Sequence, residues 1–184
     1  MNIFYDTEFM ENGQTIDLIS IGMVGEDGRE YYAVSYEFDG FAVARDPWLM
    51  EHVMSSIGHY VHYQDGGGLT VIDDPASRRR DQIALEVAEF IRSYQNPELW
   101  AWYGAYDHVA LAQLFGKMIH LPTGIPMYTN DLKTFAKLKG NPRLPDQAEG
   151  KHNALEDAKH NKVRFDYLTE LPYKRYTGSQ FVPL

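Results

Sequence analysis

Apolar runs separated by short polar turns dominate the first third of the chain. Residues 1–5 are rich in β-forming side chains, residues 16–24 are largely apolar, and residues 31–38 alternate between apolar and polar positions. Turn-forming residues separate these runs at 11–13 and at 25–28. The pattern predicts an antiparallel meander of three strands.

Helical signals begin soon after this meander. Asp46 followed by Pro47 is typical of an N-cap and the first helical position, and it predicts a short helix that ends near Ser56. Residues 63–77 contain Gly66-Gly67-Gly68 and show no periodicity, so we expect a mobile loop there. Ser77 then stands where the cap of the next helix is expected.

The middle of the chain alternates between helix and strand. Apolar side chains recur at helical spacing over residues 78–94, which predicts a long helix. Residues 99–103 are apolar at both odd and even positions, as in a strand buried on both faces. Another helix is predicted over 108–115, and this order of elements indicates an α/β fold.

The last third of the chain is mainly helical in pattern. A short strand is predicted over 126–129 and a helix over 131–139. A polar loop over 141–151 follows. A long helical pattern then begins at Asn153 and runs to about residue 168.

Length and composition restrict the class of protein. The chain has 184 residues and no cysteine, so we expect one domain, and any metal site must use oxygen or imidazole ligands. Mg²⁺ or Mn²⁺ is therefore favoured over structural zinc. No apolar run approaches the roughly 20 residues that span a bilayer, and the N-terminus lacks a targeting pattern. These features predict a soluble, cytoplasmic protein that does not contact a membrane.

The charge distribution leaves a nucleic-acid partner open. The net charge is −9, but residues 1–74 hold 14 acids and 2 bases, whereas residues 75–184 hold 12 acids and 15 bases. Divalent cations bound to an acidic site would offset part of the excess. The overall acidity therefore does not exclude a phosphodiester substrate.

Two carboxylates lie two positions apart at the start of the chain. Asp6 and Glu8 interrupt an apolar run, and residues i and i+2 of a strand point to the same face. Two neighbouring like charges are favourable when a divalent cation lies between them or when one takes up a proton. The alternative is a solvated strand end with two surface acids.

Asp107 lies where the buried strand over 99–103 passes into a helix. Open α/β sheets place their site residues at this kind of junction. The alternative is that Asp107 only caps the helix.

The start of the last predicted helix brings a histidine and an acid together. Asn153 and Glu156 have the spacing of a capping box, which makes Asn153 the N-cap, His152 the preceding residue and Asp157 the fourth helical residue. Side chains at these two flanking positions are neighbours once the chain reverses at the cap. A surface histidine and a first-turn acid are the separate alternatives.

The full set of side chains is more informative than its members. Four carboxylates and one imidazole are the groups that a two-metal phosphoryl-transfer site requires. Imidazole titrates near working pH and hard Mg²⁺ ions prefer oxygen, so the histidine suits a general base better than a metal ligand.

The order of these motifs resembles the DEDDh family of 3′-to-5′ exonucleases. The residues that match its three motifs in turn are Asp6-Thr7-Glu8, then Asp107, then His152 with Asp157. Residues 5–9 and 100–108 look most like small bacterial and phage exoribonucleases related to RNase T, in particular the mycobacterial type. The likeness covers an exonuclease domain of about residues 1–170; a C-terminal tail, 171–184, and the glycine loop near residue 67 fall outside it.

The resemblance implies a fold and a set of roles. The fold is ribonuclease H-like, with a five-stranded mixed sheet flanked by helices. Thr7 and Phe9 would contact the terminal nucleotide, and Arg143 and Lys151 either touch phosphate or stay solvated. The implied ligands of two Mg²⁺ ions, with Mn²⁺ as a substitute, are Asp6, Glu8, Asp107 and Asp157, and His152 would take the proton from the attacking water.

Three functions follow from these observations. The first is a metal-dependent exoribonuclease that releases nucleoside 5′-monophosphates from single-stranded RNA, or from 3′ overhangs, with a free 3′ end. The second is a DNA exonuclease of the same family, and the third is a non-catalytic nucleic-acid-binding module. Apolar residues without periodicity over 171–184 favour packing on another surface, such as a partner subunit in a homo-oligomer.

Overall fold

A computed structural model of the chain describes residues 1–57, 60–63, 67–71, 74–176 and 181–183. Part of the predicted mobile loop, including Gly66, lies outside the described residues. The same is true of much of the C-terminal tail.

Strands and helices alternate along the described chain, as the sequence pattern predicts. The strands are β1 (Asn2–Glu11), β2 (Ile16–Gly25), β3 (Glu30–Ser35), β4 (Val61–His62), β5 (Leu69–Thr70), β6 (Ser77–Arg78), β7 (Glu98–Ala101), β8 (Asn130–Asp131), β9 (Lys174–Tyr176) and β10 (Phe181–Pro183). The helices are α1 (Gly40–Arg45), α2 (Ser55–Ile57), α3 (Arg80–Arg92), α4 (Ala105–Gln113), α5 (Leu132–Leu138) and α6 (Ala154–Thr169). A π-helical segment, Leu49–Met54, leads into α2, and a 3₁₀ turn, Met118–His120, follows α4.

The central sheet is mixed and has six described strands, in the order β6-β3-β2-β1-β7-β8. Strands β1, β2 and β3 form the predicted antiparallel meander, while β7 runs parallel to β1 and β8 runs parallel to β7. The expectation of five strands is wrong, because β6 adds to the edge beside β3.

The additional strand also corrects the start of α3. Ser77 is not a helix cap: it lies in β6, its backbone pairs with Val34, and Arg79 is the N-cap of α3. Two polar residues next to a helix carry no alternating pattern, so the sequence does not mark them as a strand.

Other element boundaries shift by a few residues. The strand predicted over 126–129 is absent from the described structure, and β8 comes directly after it. Asp131 ends β8 and also caps α5, since its side chain accepts a hydrogen bond from the backbone N–H of Thr134 at 2.7 Å. Asp46 caps the helical segment before α2 as predicted, accepting from the backbone N–H groups of Trp48 and Leu49.

The two faces of the sheet bury different side chains of β1. Ile3 and Tyr5 are fully buried in a cluster with residues of α3 and α4. Phe4 points to the other face, where its ring lies 5.0 Å from that of Phe165 in α6. Asp6 and Glu8 share the face of Phe4, because alternate strand residues point the same way. The sheet therefore presents both acids towards α6.

Gly22 allows α6 to approach the sheet closely. It pairs with Asp6 across β1 and β2, and a Cβ atom at this position would lie 2.3 Å from the backbone of Ala154, the first residue of α6. Only glycine permits this distance. The start of α6 is consequently held beside the acids of β1.

Across the described residues, no helix combines the length and the apolar character that crossing a membrane requires.

Candidate active site

The first two acids of the site lie in the middle of β1. Asp6 is half-buried and Glu8 is buried. The pairing with β2 shifts register directly after Glu8, and such irregularities redirect side chains at functional positions. The two carboxylates face the same cavity.

Asp107 reaches this cavity from the first turn of α4. Its Oδ1 accepts hydrogen bonds from the backbone N–H of Thr7 at 2.8 Å and from the hydroxyl of Thr7 at 2.7 Å. Gly104 is the N-cap of α4, so Asp107 does not serve as the helix cap. The contact with β1 holds its carboxylate beside those of Asp6 and Glu8.

The histidine and the fourth acid meet at the start of α6. Asn153 is the N-cap and accepts from the backbone N–H groups of Leu155 and Glu156. His152 has a φ of +63°, which reverses the chain and lets its backbone N–H donate to Asp157 Oδ2 at 2.8 Å. A left-handed non-glycine residue is strained, and such strain is common at functional sites. The predicted adjacency of the two residues is present.

Three of the predicted residues are close enough to share one ion. A ligand atom from each of Glu8, His152 and Asp157 lies within 4.8 Å of the others. Asp6 and Asp107 lie outside this tight group but line the same cavity. The oxygen-rich set fits hard divalent cations.

The surroundings of Asp6, Glu8 and Asp107 favour protonation of these acids or the binding of cations. Burial, followed by the charges of Asp107, Glu8 and Asp157, raises the pKa of Asp6 well above its usual value. Burial and the charges of Asp157 and Asp107 raise the pKa of Glu8 to about 8. Burial also raises the pKa of Asp107 to about 6, although the hydrogen bonds from Thr7 lower it. A divalent cation would relieve the same repulsion that these pKa values report.

The ring of His152 lies among other aromatic side chains. Its centroid is 5.0 Å from the ring of Trp48 and 5.5 Å from that of His52. Ser56 donates to the backbone carbonyl of His152 at 2.5 Å. These contacts support the left-handed turn and orient the imidazole beside the acids.

Arg164 is a functional candidate that the sequence reasoning missed. It lines the cavity, and its charge lowers the pKa of Asp6. It donates to Asn161 Oδ1 at 2.9 Å, and Asn161 in turn donates to the carbonyl of Tyr5 at 3.1 Å. Arg164 follows Asp157 by two helical turns and so shares its face of α6. That spacing was the available signal.

The cavity has a volume of about 730 Å³, which leaves room for a nucleotide-sized ligand. Phe9 lies on its wall, and its ring is stacked on that of Tyr106 with centroids 6.2 Å apart. Lys151 also lines the cavity, whereas Arg143 does not: it is highly exposed and pairs with Asp146 at 3.1 Å. Further aromatic lining residues that the sequence did not single out are Trp48, Trp102, Tyr103 and Tyr106.

The structure combines a mixed α/β sheet with an acidic cavity that lies over the first strand and has aromatic walls. This combination is typical of proteins that are suited to cation-assisted chemistry on a nucleotide-like ligand. Residues 1–169 match the family model of the Rv2179c-like 3′-5′ exoribonuclease domain, and the chain belongs to that family. This confirms the expected likeness to mycobacterial exoribonucleases.

Two curated relatives from Mycobacterium tuberculosis support the assignment. The chain is 45% identical over 174 residues to the protein named 3′-5′ exoribonuclease Rv2179c of strain ATCC 25618 / H37Rv. The aligned residues make up 92% of this chain and 94% of the relative. The identity and coverage are the same for 3′-5′ exoribonuclease MT2234.1 of strain CDC 1551 / Oshkosh.

Proposed function

We propose that this protein is a metal-dependent 3′-to-5′ exoribonuclease that releases nucleoside 5′-monophosphates from single-stranded RNA or 3′ overhangs. We further assign it to the DEDDh exonucleases related to RNase T, with a ribonuclease H-like fold. The observation that carries the proposal is the convergence of four carboxylates and one imidazole on a single cavity, in a chain whose relatives are named exoribonucleases.

The four carboxylates are the proposed ligands of two Mg²⁺ ions, which Mn²⁺ can replace. They are Asp6, Glu8, Asp107 and Asp157. The donor set fits, because it is built of oxygens and because burial and neighbouring negative charges raise the pKa values of three of the acids. When bound, the two cations neutralise charge on the scissile phosphate and favour in-line displacement by water. Thr7 holds Asp107 in position for this task.

His152 is the proposed general base. Its imidazole shares the cavity with Glu8 and Asp157, and the lone pair of a neutral imidazole nitrogen can accept the proton of the attacking water. The strained backbone at His152 fixes where the ring can reach. The leaving group of this reaction is the 3′ oxygen of the preceding nucleotide.

Recognition of the 3′ end is assigned to residues next to the acids. Thr7, whose backbone N–H donates to Asp107, would contact the terminal nucleotide through its backbone carbonyl, and Phe9 would contact it through its ring. The ring of Phe9 is fixed against Tyr106, and a preorganised aromatic face is a favourable surface for base stacking.

Digestion of matched RNA and DNA strands tests this function. Each strand is supplied with a free or a blocked 3′ end, in Mg²⁺ or in chelator, and the products are resolved by length. We expect stepwise shortening from the free 3′ end of RNA, slower shortening of DNA, and no reaction in chelator. Cleavage of end-blocked or circular RNA would reject exonuclease action, and equal rates on RNA and DNA would remove the assignment to RNA.

A further inference from the structure

The side of the cavity at Trp102 combines an aromatic ring with two cations, of which Arg164 lines the cavity and Lys133 lies outside its lining. Trp102 follows β7 and lines the cavity. The guanidinium carbon of Arg164 lies 4.7 Å from the centroid of its ring, and the Nζ of Lys133 in α5 lies 5.4 Å from it. We call these three residues the basic wall.

The basic wall is held in place from behind. Trp102 packs against the buried cluster that contains Leu132, Phe135 and Leu168, from α5 and α6. Arg164 is fixed by its hydrogen bond to Asn161. A preorganised ring and guanidinium lose little conformational freedom when they bind a ligand.

Lys133 is exposed, whereas Arg164 is half-buried and interacts electrostatically with Asp157 and Asp6. In the part of the chain that the structure describes, no carboxylate lies within 4.0 Å of the charged nitrogens of Lys133 or Arg164. Other basic residues nearby are paired: Lys159 with Glu156, and Lys162 with Asp166. Cations that have no ion-pair partner and lie beside a cavity are suited to contact the phosphates of a single strand.

A neighbouring groove of about 480 Å³ has the wrong chemistry for a phosphate backbone. It shares Tyr103 and Tyr106 with the cavity and includes the exposed side chains of Met127 and Tyr128. No lysine or arginine is among its described lining residues, and Asp131 contributes a carboxylate. Charge complementarity therefore favours the basic wall as the exit.

We propose that the basic wall binds the RNA strand on the 5′ side of the scissile bond, with phosphates against Lys133 and Arg164, which the ring of Trp102 holds in position through its cation–π contacts. This inference rests on the proposed exoribonuclease function. It assigns the path of the strand, in addition to the site of hydrolysis. It also accounts for a basic, aromatic surface on an otherwise acidic chain.

A binding measurement with RNAs of two lengths tests the proposal. Fluorescence anisotropy gives the affinities of a labelled dinucleotide and of a labelled octanucleotide in Ca²⁺, with the intactness of the RNA checked after each titration. The variants are Lys133→Gln, and Lys133→Gln with Arg164→Gln. The matched control is Lys137→Gln with Arg143→Gln, which removes the same charge from exposed residues outside the cavity.

We expect the parent and the control to bind the octanucleotide much more tightly than the dinucleotide, and the double variant to lose most of this gain. The salt slope is the slope of the logarithm of the binding constant against the logarithm of the salt concentration, and two lost phosphate contacts should lower its magnitude by about 1.4. Between about 50 and 200 mM salt, the affinity of the parent for the octanucleotide should therefore fall roughly sevenfold more than that of the double variant. The single variant, changed only at an exposed residue, should lose about half of the slope.

Two results would overturn the basic wall as the path of the strand. One is a double variant that keeps the parent's preference for the octanucleotide over the dinucleotide and the parent's salt slope. The other is an equal loss in the control, which would indicate general electrostatics. Hydrolysis in Mg²⁺ is measured in parallel with the parent, and absence of cleavage together with intact length-dependent binding would reject the exonuclease while supporting the path.

Discussion

Replacing Glu8 with glutamine should separate the catalytic role of this residue from its effect on stability. Glu8 is buried, and the neighbouring charges of Asp157 and Asp107 oppose its ionisation. Glutamine has nearly the same shape and carries no charge. We therefore expect Glu8→Gln to abolish hydrolysis and to stabilise the metal-free protein.

The size of the effect follows from the pKa of Glu8. Its value is 4.5 in the unfolded chain and about 8 in the folded protein, so the folded state binds more protons between these values. The contribution of Glu8 to the free energy of unfolding is therefore fully present below pH 4.5 and is lost as the pH rises towards 8. At pH 7 the penalty is roughly 3 kcal/mol, at about 1.4 kcal/mol per pKa unit. Changes in the protonation of neighbouring acids reduce the measurable gain to about 1–3 kcal/mol.

Thermal and urea unfolding in chelator, from pH 5 to 8, measure this gain. For a chain of this length about 1 kcal/mol corresponds to about 2–4 °C in Tm, so the variant should melt higher than the parent at pH 7 and above. Its stability should also depend less on pH across the whole range. A variant that is less stable than the parent, or that keeps the parental slope, would contradict the assignment of Glu8 to a repulsive acidic site.

Three further predictions concern the cations, the base and the packing of α6. Mg²⁺ or Mn²⁺ at 100 times its Kd at pH 8 should stabilise the parent by about 2.7 kcal/mol. The same metal concentration should stabilise it less at pH 6, because the acids must ionise to bind the metal. An unchanged Tm in both metals would contradict the metal site. His152→Ala should lower kcat by about 10²- to 10⁴-fold while the metal-induced rise in Tm stays parental, and loss of that rise would make His152 a ligand. Gly22→Ala should lower the free energy of unfolding in urea by about 1–3 kcal/mol and should reduce activity, because the new methyl group meets the backbone of Ala154. Parental stability of this variant would show that α6 does not depend on the contact.

The sequence predicts those parts of the site that depend on local geometry. Alternation along β1 puts Asp6 and Glu8 on one face, and the cap at Asn153 brings His152 to Asp157. Both relations span at most five residues, so strand period and capping rules are sufficient to derive them.

Contacts between distant segments account for what the sequence did not predict. Strand β6 exists because two residues meet the edge of β3, and no local pattern marks them. The position of Arg164 in the cavity depends on how α6 crosses the sheet, which the absence of a side chain at Gly22 permits. The bond between Thr7 and Asp107 joins residues 100 positions apart. Such relations appear only once the tertiary packing is known.

The most direct test of the central claim is the ladder of products that the parent and Asp107→Asn form from RNA labelled at its 5′ end. Asparagine can still accept the hydrogen bonds of Thr7, so the variant should remain folded, as circular dichroism and melting will check. The parent should shorten the RNA one nucleotide at a time from its 3′ end in Mg²⁺, and Asp107→Asn should form no ladder. An unchanged ladder with folded Asp107→Asn, or internal fragments with the parent, would contradict the claim that this acidic cavity is the active site of an exoribonuclease.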